Sequence, residues 1–173
     1  MSRKSLIASL LVAAFAVFAL ADDGDNNQNA NFRSTVIGST PGTIVAGINS
    51  GGVPWTVRQG HASISNTGFL NVQVSGLLLA SGPSAGTTGP VQNIAASVVC
   101  AGGGGTVVAS TSAVPLSSLG VAQISAPVTL PSQCAAPVVL LRVSNPGSDP
   151  GPFIALNGIN TTAAAPDQDD HDK

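Results

Sequence analysis

The chain has 173 residues, only 8% of them charged, and all eight acidic residues are Asp. Seven of the eight lie near the ends (Asp22, Asp23, Asp25, Asp167, Asp169, Asp170 and Asp172), leaving Asp149 alone in the body. That distribution excludes the basic footprint of a nucleic-acid binder. It is equally unlike a disordered chain, which pairs high charge with few apolar residues.

Arg3 and Lys4 precede an uncharged apolar run over residues 6–20, and Ala19-Leu20-Ala21 then places small side chains just before Asp22. Positive start, short apolar core and A-x-A end form the secretory pattern, with cleavage expected after Ala21. The alternative is an uncleaved anchor, but the run is short for a hydrocarbon core of about 30 Å. No later segment is long and apolar enough to span a membrane. The expected location is therefore secreted, extracellular or periplasmic. Removing 21 of 173 residues leaves 152, a size at which one domain can bury its own core. The mature chain sets Arg33, Arg58, Arg142 and Lys173 against eight Asp, a formal charge of −4. With so little charge, its surface must be built from Ser, Thr, Asn, Gln and Gly.

Residues 22–31 are polar with no apolar period and read as a flexible lead-in. From Phe32 onward, short apolar stretches broken by Gly, Pro, Asn and Ser predict strands joined by turns. Strands are expected over residues 33–37 and 43–48, around Ser39-Thr40-Pro41-Gly42. Residues 55–65 and 69–79 flank Asn66-Thr67-Gly68 and form the clearest hairpin. In its second arm Leu70, Val72 and Val74 alternate with Asn71, Gln73 and Ser75, as in a strand with one wet face. Further strands are expected over 92–100, 106–114 and 122–130, where Pro127 suggests an edge or bulge. The continuous apolar run 138–143 reads as a buried central strand, and 153–156 as the last. No 3.6-residue period appears after the leader. The prediction is a single all-β domain over 32–158, a β-sandwich of about eight strands, followed by a disordered acidic tail over 159–173.

Cys100 and Cys134 are the only cysteines. In an exported chain an even pair is first a disulfide, and the spacing fits no CxxC redox or metal pattern. Trp55 precedes both cysteines, which disfavours the immunoglobulin arrangement that places Trp between them.

Groups that carry chemistry are scarce. His61 is the only histidine of the body and Asp149 its only acid, so a Ser-His-Asp triad is arithmetically open but lacks a G-x-S-x-G elbow. The other reading of His61 is an ordinary strand residue. No carboxylate pair for glycoside chemistry lies in the body. Asp23, Asp25 and Asn27 resemble the start of a calcium loop, but Gln28 stands where Gly is needed and Ser34 where the bidentate Glu should be. The Asp-rich C-terminus could gather a divalent cation loosely; both ends otherwise read as solvated acidic tails. Asn160-Thr161-Thr162 is a formal glycosylation sequon. Trp55 is a core anchor or, alternatively, a ligand-facing ring for a sugar. No cofactor is implied.

The segments Gly52-Val53-Pro54-Trp55-Thr56-Val57, Ala96-Ser97-Val98-Val99-Cys100, Val114-Pro115-Leu116-Ser117 and 130–139, which opens Leu130-Pro131-Ser132-Gln133-Cys134, resemble a group of small exported bacterial proteins of unknown function. The resemblance covers residues 53–158, supports a bacterial origin and paired cysteines, and implies no activity. Taken together, the residues point to a non-enzymatic extracellular structural or binding module whose partner is a cell-surface polymer or protein. A secreted hydrolase using His61, Asp149 and a Ser is the alternative, and a weakly calcium-responsive surface protein the third reading.

Overall fold

Thirteen strands and a single 3-10 turn at Ala101–Gly103 make up residues 30–157, the part described by the computed structural model. The strands are β1 (Ala30–Gly38), β2 (Ile44–Val45), β3 (Ile48–Asn49), β4 (Trp55–Thr56), β5 (Gln59–Ser65), β6 (Phe69–Ser75) and β7 (Leu78–Leu79). They continue with β8 (Asn93–Val99), β9 (Val107–Ser110), β10 (Val114–Pro115), β11 (Ala122–Pro127), β12 (Val138–Val143) and β13 (Phe153–Asn157). Nine form one antiparallel sheet in the order β10-β8-β12-β13-β1-β5-β6-β11, with β9 on the same edge of β8 as β10.

The sheet curls because β1 serves two neighbours in turn. Residues 32–35 pair with β5, and residues 36–38 pair with β13. One arm is therefore β1-β5-β6-β11 and the other is β8-β12-β13 with β9 and β10. Ile64, Leu70 and Val72 of the first arm share one apolar cluster with Ile94, Val98, Leu141 and Ile154 of the second. Burial on this inner face is the main driving force for the curl, at about 25 cal/mol per Å² of apolar surface removed from water.

Local signals formed as the alternation predicts. In β6, Leu70, Val72 and Val74 are buried while Gln73 is exposed. The 66–68 turn closes through a bond from the Gly68 amide to the Ser65 carbonyl, and Ser65 Oγ accepts from the Phe69 amide. Gly68 sits at φ 74°, in the left-handed region that a three-residue hairpin loop requires. Pro127 ends β11, which pairs only with β6 in the sheet.

The run 138–143 is a central strand, as expected, and its lack of alternation has a cause. Val139 and Leu141 face the inner core, whereas Val138 and Leu140 join Val99 and Phe153 in a second cluster on the outer face. Val45, Ala46 and Ile48 pack on that second cluster, so the β2–β3 hairpin roofs it. The segment 43–48, expected as a full strand, is thus a short hairpin outside the main sheet.

Other expected strands are interrupted. The hairpin 55–65/69–79 divides into β5–β6 and a separate β4–β7 pair, because the ladder is broken at Arg58 and at Gly76, the latter with φ 67°. Residues 106–114 divide into β9 and β10 where Thr111 leaves the ladder; its hydroxyl accepts from the Ala96 amide and its own amide donates to the Ala96 carbonyl. β1 runs from Ala30 to Gly38, longer at both ends than the strand expected over 33–37.

Cys100, just after β8, is bonded to Cys134 in the loop before β12, with 5.0 Å between their Cα atoms. Amides of Ala101 and Gly102 donate to the carbonyls of Ala135 and Ala136 beside it, at 2.7 and 2.9 Å. The disulfide expected from the even cysteine count is therefore present.

Candidate functional site

Strand alternation decides which side chains the first arm shows to solvent. Ala62, Ile64, Leu70, Val72 and Val74 face the core, so Gln59, His61, Ser63, Asn71, Gln73, Ser75, Gln123 and Ser125 fall on the outer face, although Ser63 is covered there and buried. Antiparallel register then sets them in rows. Thr35 pairs with His61, His61 with Gln73, and Gln73 with Gln123. One row further along the strands, Arg33 pairs with Ser63, Ser63 with Asn71, and Asn71 with Ser125. Phe69, itself 45% exposed, pairs with Pro127 beyond that. An open hollow of about 370 Å³ lies over the first row, lined by Gln59, His61, Gln73 and Gln123 with Ser75 and Val121.

This face is polar and nearly uncharged. Its cations are Arg33 in the second row and Arg58 at the other end, where Arg58 Nη2 donates to Ser75 Oγ at 2.8 Å. Within the second row, Asn71 Oδ1 is buried and, among the described residues, makes no hydrogen bond. An unsatisfied buried acceptor is costly, so the amide is a point where a donor would be welcome.

The candidate residues of the sequence fall in different places. His61 is half-buried on the outer face of the first arm, whereas Asp149 lies in the β12–β13 loop of the second and lines no part of the His61 hollow. Asp149 stands near Arg142 instead, and the structure does not bring it to His61. Trp55 is 7% exposed, packed into the main cluster, with its amide bonded to the Ser39 carbonyl. That position gives its indole to the core and leaves no open ring face for a sugar. Asp23, Asp25 and Asn27, the acidic tail and the sequon lie outside the described residues. Among the described residues no group of three or more His, Cys, Asp or Glu could hold a metal, and no helix is long and apolar enough to cross a membrane.

Two features of the structure have no counterpart in the sequence pattern. Arg142 interrupts the apolar run of β12 one residue before its end, yet its guanidinium is held: Nε donates to the Gly151 carbonyl at 2.7 Å, Nη2 to the Pro150 carbonyl, and Nη1 reaches Ser97 Oγ at 3.4 Å. Burial lowers the affinity of Arg142 for its proton, and nearby Asp149 opposes that. The bonds fasten the β12–β13 loop to the sheet, a structural task. The second is an open cleft of about 690 Å³ between the 66–68 turn and the 128–137 loop, with Phe32, Ile64 and Leu130 in its wall and Cys134 at its side. Neither had a local signal, since both depend on segments distant in the chain.

No protein-family model matches the chain, and neither does any curated protein or solved structure.

Proposed function

We propose that this chain is an exported, non-enzymatic β module that acts by contact with a polymer or protein at the cell surface or in the surrounding matrix. The observation that carries the reading is the outer face of β1-β5-β6-β11, where mostly uncharged polar side chains stand in register and, among the described residues, no carboxylate lines the hollow beside His61. Such a face binds by many weak hydrogen bonds; a general base needs an orienting partner and a nucleophile in reach. Export is supported by the Arg3-Lys4 start, the apolar run and the Ala19-Leu20-Ala21 end, and the Cys100–Cys134 bond suits an oxidising compartment. On this reading residues 1–21 are removed, the two arms are the layers of a β-sandwich, and the chain is kin to the small exported bacterial proteins it resembles.

Two measurements test the proposal. Intact mass of protein recovered outside the cytosol should correspond to a chain starting at Asp22; a product retaining Met1 overturns export by this route. Thermal unfolding of the mature protein, run against cell-wall and matrix polysaccharides, calcium and EDTA, should show a raised midpoint with a polymer, because a ligand of the folded state alone must stabilise it. A hydrolytic activity that disappears in a folded His61→Ala variant would replace the module with an enzyme.

A further inference from the structure

We propose that the outer face of β1-β5-β6-β11 is a docking site for a neutral, extended polysaccharide, its rings seated along the row Thr35, His61, Gln73 and Gln123. The inference rests on the contact-module reading above and names its ligand class.

Three observations lead to that ligand. Carboxamides both donate and accept, as sugar hydroxyls do, and register places Gln73 beside Gln123 and His61 on neighbouring strands. Neighbouring strands lie about 4.8 Å apart, so the row repeats at close to the advance of one pyranose ring in an extended β-linked glycan. From Thr35 to Gln123 the row crosses four strands, about 14 Å, or some three rings. Second, the chemistry of the face excludes the commoner occupants. It presents amides and hydroxyls, too polar for a lipid surface or an apolar peptide. Among the described residues, no Asp, Glu, Lys or Arg lines the hollow over the row, Arg33 standing in the second row and Arg58 bonded to Ser75, so the row suits neither a polycation nor a polyanion. Third, one group next to the row awaits a partner of this kind. Asn71 lies two residues along β6 from Gln73, and its buried Oδ1, unmatched among the described residues, accepts a hydroxyl once the amide turns outward.

The test is a titration of the ¹⁵N-labelled mature protein with hexasaccharides of β-1,4-linked glucose and of β-1,4-linked N-acetylglucosamine, with a hexauronate as the anionic comparison. Saturable shifts of the Gln59, Gln73 and Gln123 side-chain amide signals are expected with a neutral hexasaccharide. The double variant Gln73→Ala/Gln123→Ala should weaken that binding about tenfold or more without moving the unfolding midpoint. Ser148→Ala, on an exposed loop of the other arm, should bind as the parent does. Binding of neither neutral sugar, shifts confined to the cleft beside Leu130, or a preference for the hexauronate that salt abolishes would each overturn the assignment. Failure here leaves the module reading standing if another polymer raises the unfolding midpoint. A hydrolytic activity that depends on His61 removes both.

Discussion

Replacing Cys100 and Cys134 together by Ser should cost this protein about 3.8 kcal/mol at 25 °C. The figure is the closure entropy of a loop with a sequence separation of 34 in the chain-entropy model. Both cysteines are half-buried, so the two hydroxyls are not forced into an apolar core. The bonds from Ala101 to Ala135 and from Gly102 to Ala136 hold the same two segments together in the folded state. Folded geometry should therefore persist, and the loss should come from the wider freedom of the unfolded chain. At roughly 3–5 °C per kcal/mol for a domain of this size, the midpoint should fall on the order of 10–20 °C. Urea unfolding followed by far-UV circular dichroism gives the free energy and its slope. The slope should rise, because an unfolded chain without the cross-link exposes more surface. A loss below about 1 kcal/mol with an unchanged slope would refute the reasoning, since the loop would then be constrained by something other than the bond.

Two further substitutions probe packing and backbone. Phe153→Ala removes a fully buried ring from the outer cluster and should cost about 3–5 kcal/mol in urea unfolding. Amide exchange should quicken in residues 43–50 as the roof loses its support, and unchanged protection there would show that the hairpin does not depend on this cluster. Gly120→Ala should cost at least about 2 kcal/mol, because Gly120 has φ +69° and an added Cβ would lie 2.5 Å from the Leu77 backbone nitrogen and oxygen. A midpoint equal to the parent's would mean that the 117–120 turn readjusts freely.

The candidate site was only half legible beforehand. That Asn71, Gln73 and Ser75 point away from the core follows from period-2 alternation in one segment. That Gln73 stands between His61 and Gln123 does not, because it needs the register of three strands, two of them joined through a hairpin and the third arriving some 50 residues later. Trp55 shows the converse. As a lone Trp it suited a ligand-facing ring while its neighbours Val53 and Val57 favoured a core anchor, and in the fold it pairs with Leu79 in a short ladder and is buried.

Local chemistry written along the chain determined the all-β character, the 66–68 hairpin, the wet and dry faces of β6, the central place of 138–143 and the pairing of the cysteines. Each follows from side-chain alternation, from turn residues that tolerate unusual φ, or from a count of two thiols, and none needs a distant partner. Tertiary structure alone decided that β1 divides its two halves between β5 and β13, that the 43–48 segment leaves the sheet to roof Phe153 and Leu140, and that Arg142 is tied to the 150–151 carbonyls. Alternation tells a strand which way its side chains point but not which strand lies beside it. That choice goes to the arrangement that buries both apolar faces of β12 while leaving few backbone groups unpaired, and it is settled by the whole chain at once.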